Sequence, residues 1–480
     1  MGADPLQQFT PASSIRAELE ACLSLQRKAY LADPVPTYAE RRADLQTLQR
    51  FVRENKEAII TAISADYGNR SRHETLFAEI FPAIDGIDHT LGHLKKWMKP
   101  QRRSVDLRNF FGARNRVIPQ PLGVVGVIVP WNFPINLTIL PLTYILAAGN
   151  RAMVKMSENS RHLARLMIEK LPAYFPPEKL TVFDESGGVG IEFSALPFDH
   201  LLFTGSTQTG RAVMAAASLN LCPVTLELGG KSPALLCDDY PLRKAAERIL
   251  FVKYFNAGQI CTTVDNLWVP EAKLEEFVSV AKDIVAARYP QTSSADFTSV
   301  IDERAFKRLT EALDEAANQG ATLVQLVPGE RWNEATRKIA PHIVLNAPDN
   351  CQLMTREIFG PILPIRGYRS LEEVIDYINT RPRPLAFYPF SNDSAKIQML
   401  LERVMSGGVT VNDALLHVAQ HDIPFGGVGA SGMGHYHGYE GFVTFSKMRP
   451  VFYQAGFSSL KFLHPPYGKF ATMVLNFLTK

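Results

Sequence analysis

From residue 122 onward, short β-branched runs alternate with helix-length segments. The runs VVGVIV (124–129), AMVK (152–155), LTVF (180–183), LLFT (201–204) and CPVTLEL (222–228) predict strands. The segments between them, INLTILPLTYILAAG, RHLARLMIEKL and TGRAVMAAASLN, are of helix length. Repeated strand–helix–strand units predict a parallel sheet covered on both faces, the doubly wound arrangement that binds ligands at the carboxyl ends of its strands.

Upstream, the first hundred residues read as helical. Thr37 and Glu40 have capping-box spacing, and Leu45, Leu48 and Val52 fall on one face. Beyond residue 230 a second alternation predicts helices over 240–255, 271–287, 302–318 and 393–404, and strands over 267–270, 341–345, 385–390 and 408–412. A second α/β domain follows, joined tightly to the first near residue 228.

From Val117 to Asn150 no side chain is charged, a length that on its own suggests a membrane helix. Pro121, Pro130, Pro134 and Pro141, with Asn132 and Asn136, break the stretch into a buried strand, a turn and a buried helix. The C-terminal FATMVLNFLTK is too short to span a bilayer, and the N-terminal residues lack the basic start and apolar core of a signal peptide.

With 480 residues, 46% of them hydrophobic, the chain can bury more than one core, so two major domains are expected. A formal net charge of +3 points to a small-molecule partner rather than to nucleic acid or an anionic membrane. The five cysteines (Cys22, Cys222, Cys237, Cys261, Cys351) are scattered and lack CxxC pairs, which predicts free thiols in a reducing, cytoplasmic compartment. His417 with His421, and His435 with His437, lack a third ligand at metal spacing, so no metal site is expected.

The polar residues that carry chemistry cluster around the predicted strand ends. No GxGxxG follows the first strand; instead TGSTQTG sets Gly205 and Ser206 at the start of a helix, whose free N–H groups suit a pyrophosphate. Lys155 ends one strand, with Glu158 three residues on, placed to hold ribose hydroxyls. Glu227 in LELGGK is either a hydrogen-bonded anchor or a general base with a raised pKa. In PWNFP, Trp131 and Asn132 sit in a turn fixed by two prolines, where an amide can donate to an oxyanion. Cys261, in FNAGQICTTVDN, is a buried filler or a nucleophile.

Six ordered motifs, VPWNFP, FTGS, LELGGK, NAGQIC, EIFGP and PFGGVGASGMG, make the chain resemble the NAD(P)-dependent aldehyde dehydrogenase superfamily from about residue 40 to 455. The short N-terminal arm and the ending GMGHYHGYEGFVTFSKMRPVF look most like its class 3 branch. The run RHETLFAEIFPAIDGIDHTLGHLKKWMKPQRR is similar to bacterial coniferyl aldehyde dehydrogenases.

The resemblance implies an α/β fold with a Rossmann-variant cofactor domain (1–105 and 120–227) and a catalytic domain (228–411). It further implies oligomerisation elements (106–119 and 447–480), a return segment (412–446) and a homodimer. It makes Cys261 the nucleophile, Asn132 the oxyanion donor and Glu227 the base for the deacylating water. NAD, or NADP, would lie against Lys155, Glu158, Gly205, Ser206, Trp131, Glu357 and Phe359.

The chain departs from the family pattern at Met156, where a proline is usual, and at Thr262, Thr263 and Val264 after the nucleophile. The first departure suggests a looser cofactor loop, the others an altered acyl pocket. The implied reaction is oxidation of an aromatic or medium-chain aldehyde to the acid. The rivals are a coenzyme A-acylating dehydrogenase, an inactive paralogue, and a cysteine hydrolase, which would need a histidine that no motif places near Cys261.

Overall fold

The computed structural model describes residues 12–106, 110–456 and 458–479. The N-terminal residues read above for a leader lie largely outside this range.

One sheet has six strands, in the order Gly432–Met433, Val224–Glu227, His200–Thr204, Val124–Ile128, Arg151–Lys155 and Leu180–Phe183. All neighbours are parallel except the first pair, where Gly432 lies antiparallel to Glu227. The chain builds outward from Val124–Ile128 on one side, then returns to its other side with His200–Thr204. That reversal is the switch point at which ligands bind.

Period-two alternation explains why this sheet carries so little charge. Val125 and Val127 pack into one core with the helices Tyr38–Glu54, Phe81–Trp97 and Asn136–Ala148. Val124 and Ile128 face the other core, with Ile15, Leu19 and Leu23 of the first helix. Gly126 is needed between them, because a Cβ there would come within 2.6 Å of the Phe198 ring. The uncharged stretch is therefore a buried strand, a turn and the buried helix Asn136–Ala148. Among the described residues no helix is long and apolar enough to cross a membrane.

The second sheet has seven strands, ordered Thr322–Gln325, His342–Leu345, Ile362–Tyr368, Asn266–Pro270, Pro233–Leu236, Ala386–Phe390 and Gly408–Val409. Only Thr322–Gln325 runs antiparallel. Thr322–Gln325, Pro233–Leu236 and Ile362–Tyr368 are absent from the expected strands. Pro233–Leu236 is four residues without a β-branched side chain; Ile362–Tyr368 carries Pro364 and Gly367, which argue against a central strand. The helix Leu371–Asn379 is likewise an unexpected element.

A third sheet joins Gln101–Arg103, Arg114–Pro121 and Ser446–Tyr453. It projects a half-exposed ribbon from the body, and beyond it the helix Lys469–Leu478 leaves Phe470, Met473 and Phe477 exposed. Thr37 and Glu40 form the capping box read from the sequence, each bonding the other's backbone.

Candidate active site

The sequence candidates of the first sheet gather at strand carboxyl ends. Lys155 and Glu227 are the last residues of their strands, Gly205 and Ser206 follow Thr204, and Trp131 with Asn132 follow Val124–Ile128. Cys261 comes from the second domain, three residues after the turn Phe255–Gly258. Glu357 and Phe359 lie in the loop leading into Ile362–Tyr368.

The turn before the thiol is strained. Asn256 and Ala257 have φ of 51° and 50°, and Gly258 has φ of 73°, three left-handed residues in succession. Such conformations cost on the order of 1–3 kcal/mol for a non-glycine residue, so the surroundings must enforce them. Asn256 N donates to the buried Glu74 carboxylate at 2.9 Å. The Gln259 amide donates to Asn256 O and Ser299 O, while its oxygen accepts from Ile301 N at 2.9 Å. Gly258 packs so closely that a Cβ would stand 2.3 Å from Gly360 O.

The Asn132 turn is held from the opposite side. Its carbonyl accepts from Tyr67 Oη at 3.0 Å and Arg70 Nη1 at 2.9 Å. The Arg70 guanidinium lies between the rings of Tyr67 and Phe133 and meets Glu79 Oε1 at 2.9 Å. Glu79 Oε2 in turn accepts from Ile135 N and Asn136 N, capping the helix Asn136–Ala148. Asn132 Nδ2 donates one hydrogen bond, to Gln259 O at 3.3 Å. An amide nitrogen has two hydrogens, which leaves one for a ligand.

Cys261 and Glu227 line one cavity of about 170 Å³ with aromatic walls. Glu227 is buried, and neither carboxyl oxygen has a partner among the described residues. Burial holds its pKa well above the usual carboxylate range. The Cys261 thiol is pushed up to about 12, chiefly by burial, then by the charges of Glu357 and Glu227; its own N–H and the Thr262 hydroxyl act in the opposite sense. Burial thus disfavours the charged form of both groups, and each raises the cost of charging the other.

Glu357 faces a separate cleft of about 620 Å³, shared with Gly229, Gly230 and Thr207. Its Oε1 is buried and unpartnered, and burial, with Asp265 nearby, raises its pKa to about 8. A Cβ on Gly229 would fall 2.1 Å from this carboxylate, so only glycine lets the group lie there. The loop is anchored where Asp265 Oδ2 accepts from Ile358 N at 2.8 Å. Phe359, at φ 51°, meets Trp131 edge to face at 5.4 Å.

Lys155 pairs with Glu185, and Glu158 accepts from Ser157 Oγ at 3.2 Å. Glu185 was missed; its only signal was a carboxylate two residues past a strand end, ahead of Gly187 and Gly188. The Met156 side chain is fully buried in the core, and its N–H bonds Phe183 O at 2.8 Å. Of the three residues after Cys261, expected to alter the acyl pocket, only Thr262 lines the cavity; Thr263 Oγ1 donates to Val252 O and Val264 packs in the core of the second sheet.

Ser206 Oγ caps the helix Thr207–Ser218 by accepting from Thr209 N at 3.2 Å, leaving other first-turn N–H groups free for an anion. Arg70, Glu79 and Gln259 were also missed, although Gln259 sits inside the quoted NAGQIC motif. The five cysteines are free, and among the described residues no group of three or more His, Cys, Asp and Glu could hold a metal ion.

A doubly wound six-stranded sheet, a second seven-stranded sheet, and a thiol and carboxyl facing one cavity define an α/β enzyme. The chain belongs to the aldehyde dehydrogenase family, whose model matches residues 11–451. It is 50% identical over 454 residues to the "Probable coniferyl aldehyde dehydrogenase" of Pseudomonas aeruginosa, covering 94% of each chain. It is 37% identical over 431 residues to the rat "Aldehyde dehydrogenase, dimeric NADP-preferring", covering 88% of this chain and 92% of the other.

Among solved structures, a substrate-bound Staphylococcus aureus AldH superposes with a TM-score of 0.90 at 32% identity, covering 96% of this chain and 99% of that one. A Mycobacterium tuberculosis aldehyde dehydrogenase complexed with NAD+ gives 0.81 at 25% identity, with 92% and 91% covered.

Proposed function

We propose that the protein oxidises an aromatic aldehyde of the coniferyl type, or a medium-chain aliphatic one, to the carboxylic acid with NAD, NADP being accepted as well. The pairing of Cys261 with an unpartnered Glu227 in one cavity carries this reading. The similarity to a coniferyl aldehyde dehydrogenase and to NAD- and NADP-using relatives supports its terms.

The residues present suit a dinucleotide. A helix N-terminus follows Gly205 and Ser206, Lys155 offers an ammonium at a strand end, and the orphaned Glu357 oxygen can accept from a ribose hydroxyl. Bound there, the nicotinamide supplies the hydride acceptor that carries an aldehyde-level adduct to the acyl level.

The chain's own groups do the rest. Cys261 Sγ loses its proton to solvent water, attacks the carbonyl carbon and gives a thiohemiacetal oxyanion. Asn132 Nδ2 and the Cys261 backbone N–H donate to that oxygen, positioned by the Arg70–Glu79 and Gln259 networks. After oxidation a thioester remains on Cys261. Glu227, whose buried carboxyl favours proton uptake, removes a proton from water; hydroxide adds to the thioester carbon, and the acid leaves as the C–S bond breaks. Glu227 in the cavity favours water over coenzyme A as acyl acceptor.

The test is kinetic. Cys261→Ala should abolish aldehyde-dependent NADH formation, whereas Glu227→Gln should release a burst of NADH of one equivalent and then stall. A normal steady state in either variant would reject the assignment.

We assign a homodimer to the exposed apolar surface of the tail after residue 447 and to the half-exposed ribbon, with the dimeric rat relative in support. The boundaries 1–105 with 120–227, 228–411 and 412–446 divide cofactor, catalytic and return segments. The free cysteines support a cytoplasmic location.

A further inference from the structure

We infer that Asp85, oriented by His421, accepts a hydrogen bond from a phenolic hydroxyl, so that the cavity selects aromatic aldehydes that carry a free ring hydroxyl. The inference rests on the proposed aldehyde oxidation and narrows its substrate class.

Phe77, Phe81 and Asp85 are spaced four apart, follow one stripe of the segment Leu76–Trp97, and all line the cavity that holds Cys261. Phe77 and Phe81 are 54% and 60% exposed, an unusual state for two neighbouring aromatic rings, and they mark the open rim. With Phe133 and Leu140 they enclose an apolar slot. A dry apolar cavity of about 150 Å³ admits benzene, so about 170 Å³ admits a single ring.

Asp85 supplies polarity where the rim would otherwise be apolar. Its Oδ2 accepts from His421 Nε2 at 2.9 Å, while Oδ1 accepts nothing among the described residues. The His421 side chain is only 11% exposed. Its ring is wedged against Gly86, where a Cβ would come within 3.3 Å of Cε1, and lies 5.4 Å from the His89 ring. His421 is thereby packed in place, and the carboxylate it bonds, half-exposed at the rim, keeps one oxygen free.

The other polar groups of the cavity belong to the reacting end. Glu227, Cys261 and the buried Tyr436 line the same cavity, whereas Asp85 follows the exposed Phe77 and Phe81 along the rim. The slot thus holds the reacting groups and a second acceptor, with aromatic residues lining it. A ring with an aldehyde-bearing side chain at one end and a hydroxyl opposite matches that arrangement. A neutral phenol donates to a carboxylate in a charge-assisted bond; a methyl ether has no proton to give, and a phenolate is repelled.

The test compares kcat/KM of the full chain for 4-hydroxy-3-methoxycinnamaldehyde and for 3,4-dimethoxycinnamaldehyde. The native ratio should be at least about tenfold in favour of the phenol, fall toward one in Asp85→Leu, and be intermediate in Asp85→Asn. A native ratio near one, or a ratio that survives Asp85→Leu in a folded variant, overturns the inference while leaving aldehyde oxidation standing. Calorimetry with 4-propylphenol against 4-propylanisole reads the same preference without chemistry. A phenol preference that depends on Asp85 in a protein oxidising no aldehyde would uphold the subsite and reject the proposed reaction.

Discussion

Arg70 and Glu79 meet at 2.9 Å with both side chains fully closed to solvent. Their pair ties the carbonyl of Asn132 to the N-terminus of the helix Asn136–Ala148, so the proposed oxyanion donor is positioned from its backbone side. A buried pair is weak evidence for stability, because the desolvation of both ions offsets their attraction. Its use here is to fix geometry.

That burial has a pH signature. Glu79 titrates at about 7 in the folded chain, raised chiefly by desolvation against the pull of Arg70, from an ordinary 4.5. The folded state therefore holds more protons than the unfolded one between these values, and stability falls as pH rises through that window. Below about pH 4.5 the contribution is complete; above about pH 7 it is lost. Native protein should thus lead Glu79→Gln by more at pH 5 than at pH 8, the difference reaching no more than about 3 kcal/mol. Urea unfolding of both proteins at pH 5, 6, 7 and 8 measures it, and parallel curves would contradict the sign.

Gly229→Ala should act on coenzyme binding. The added Cβ would lie 2.1 Å from the Glu357 carboxylate, forcing that group out of the cleft. We expect the KM for NAD to rise about tenfold or more, equivalent to about 1.4 kcal/mol, with a smaller change in unfolding midpoint. An unchanged KM would place Glu357 outside the coenzyme site.

Glu185 should weigh on the choice between NAD and NADP. Its carboxylate pairs with Lys155, the ammonium proposed to lie at the coenzyme ribose, and sets a negative charge beside it that would repel a 2′-phosphate. Glu185→Gln should raise the ratio of kcat/KM for NADP over NAD by about tenfold. Initial rates with both coenzymes decide it, and a ratio that stays put or falls would reject the role.

The fold was legible where local and global signals agreed. LTVF became Leu180–Phe183, and the Thr37–Glu40 box formed as spaced. It was hidden where packing overrode propensity: Pro364 sits in a strand flanked on both sides, but it pairs only with Val344, the other ladder starting at Ile365. The site was legible as motifs but not as contacts. Lys155 and Glu185 are thirty residues apart, and only the parallel pairing of their strands brings them together. Met156 looked consequential by its position in the chain, yet its side chain points into the core.

The close approach of Gly258 to Gly360 joins the two halves of the catalytic centre mechanically. One glycine belongs to the turn that presents the sulfur, the other to the loop that presents Glu357, and backbone touches backbone with no side chain to absorb a displacement. In the proposed reaction, coenzyme binding that settles one loop would be felt at the other, and the coupling would act equally in both directions. Two residues with no functional groups of their own would then carry it.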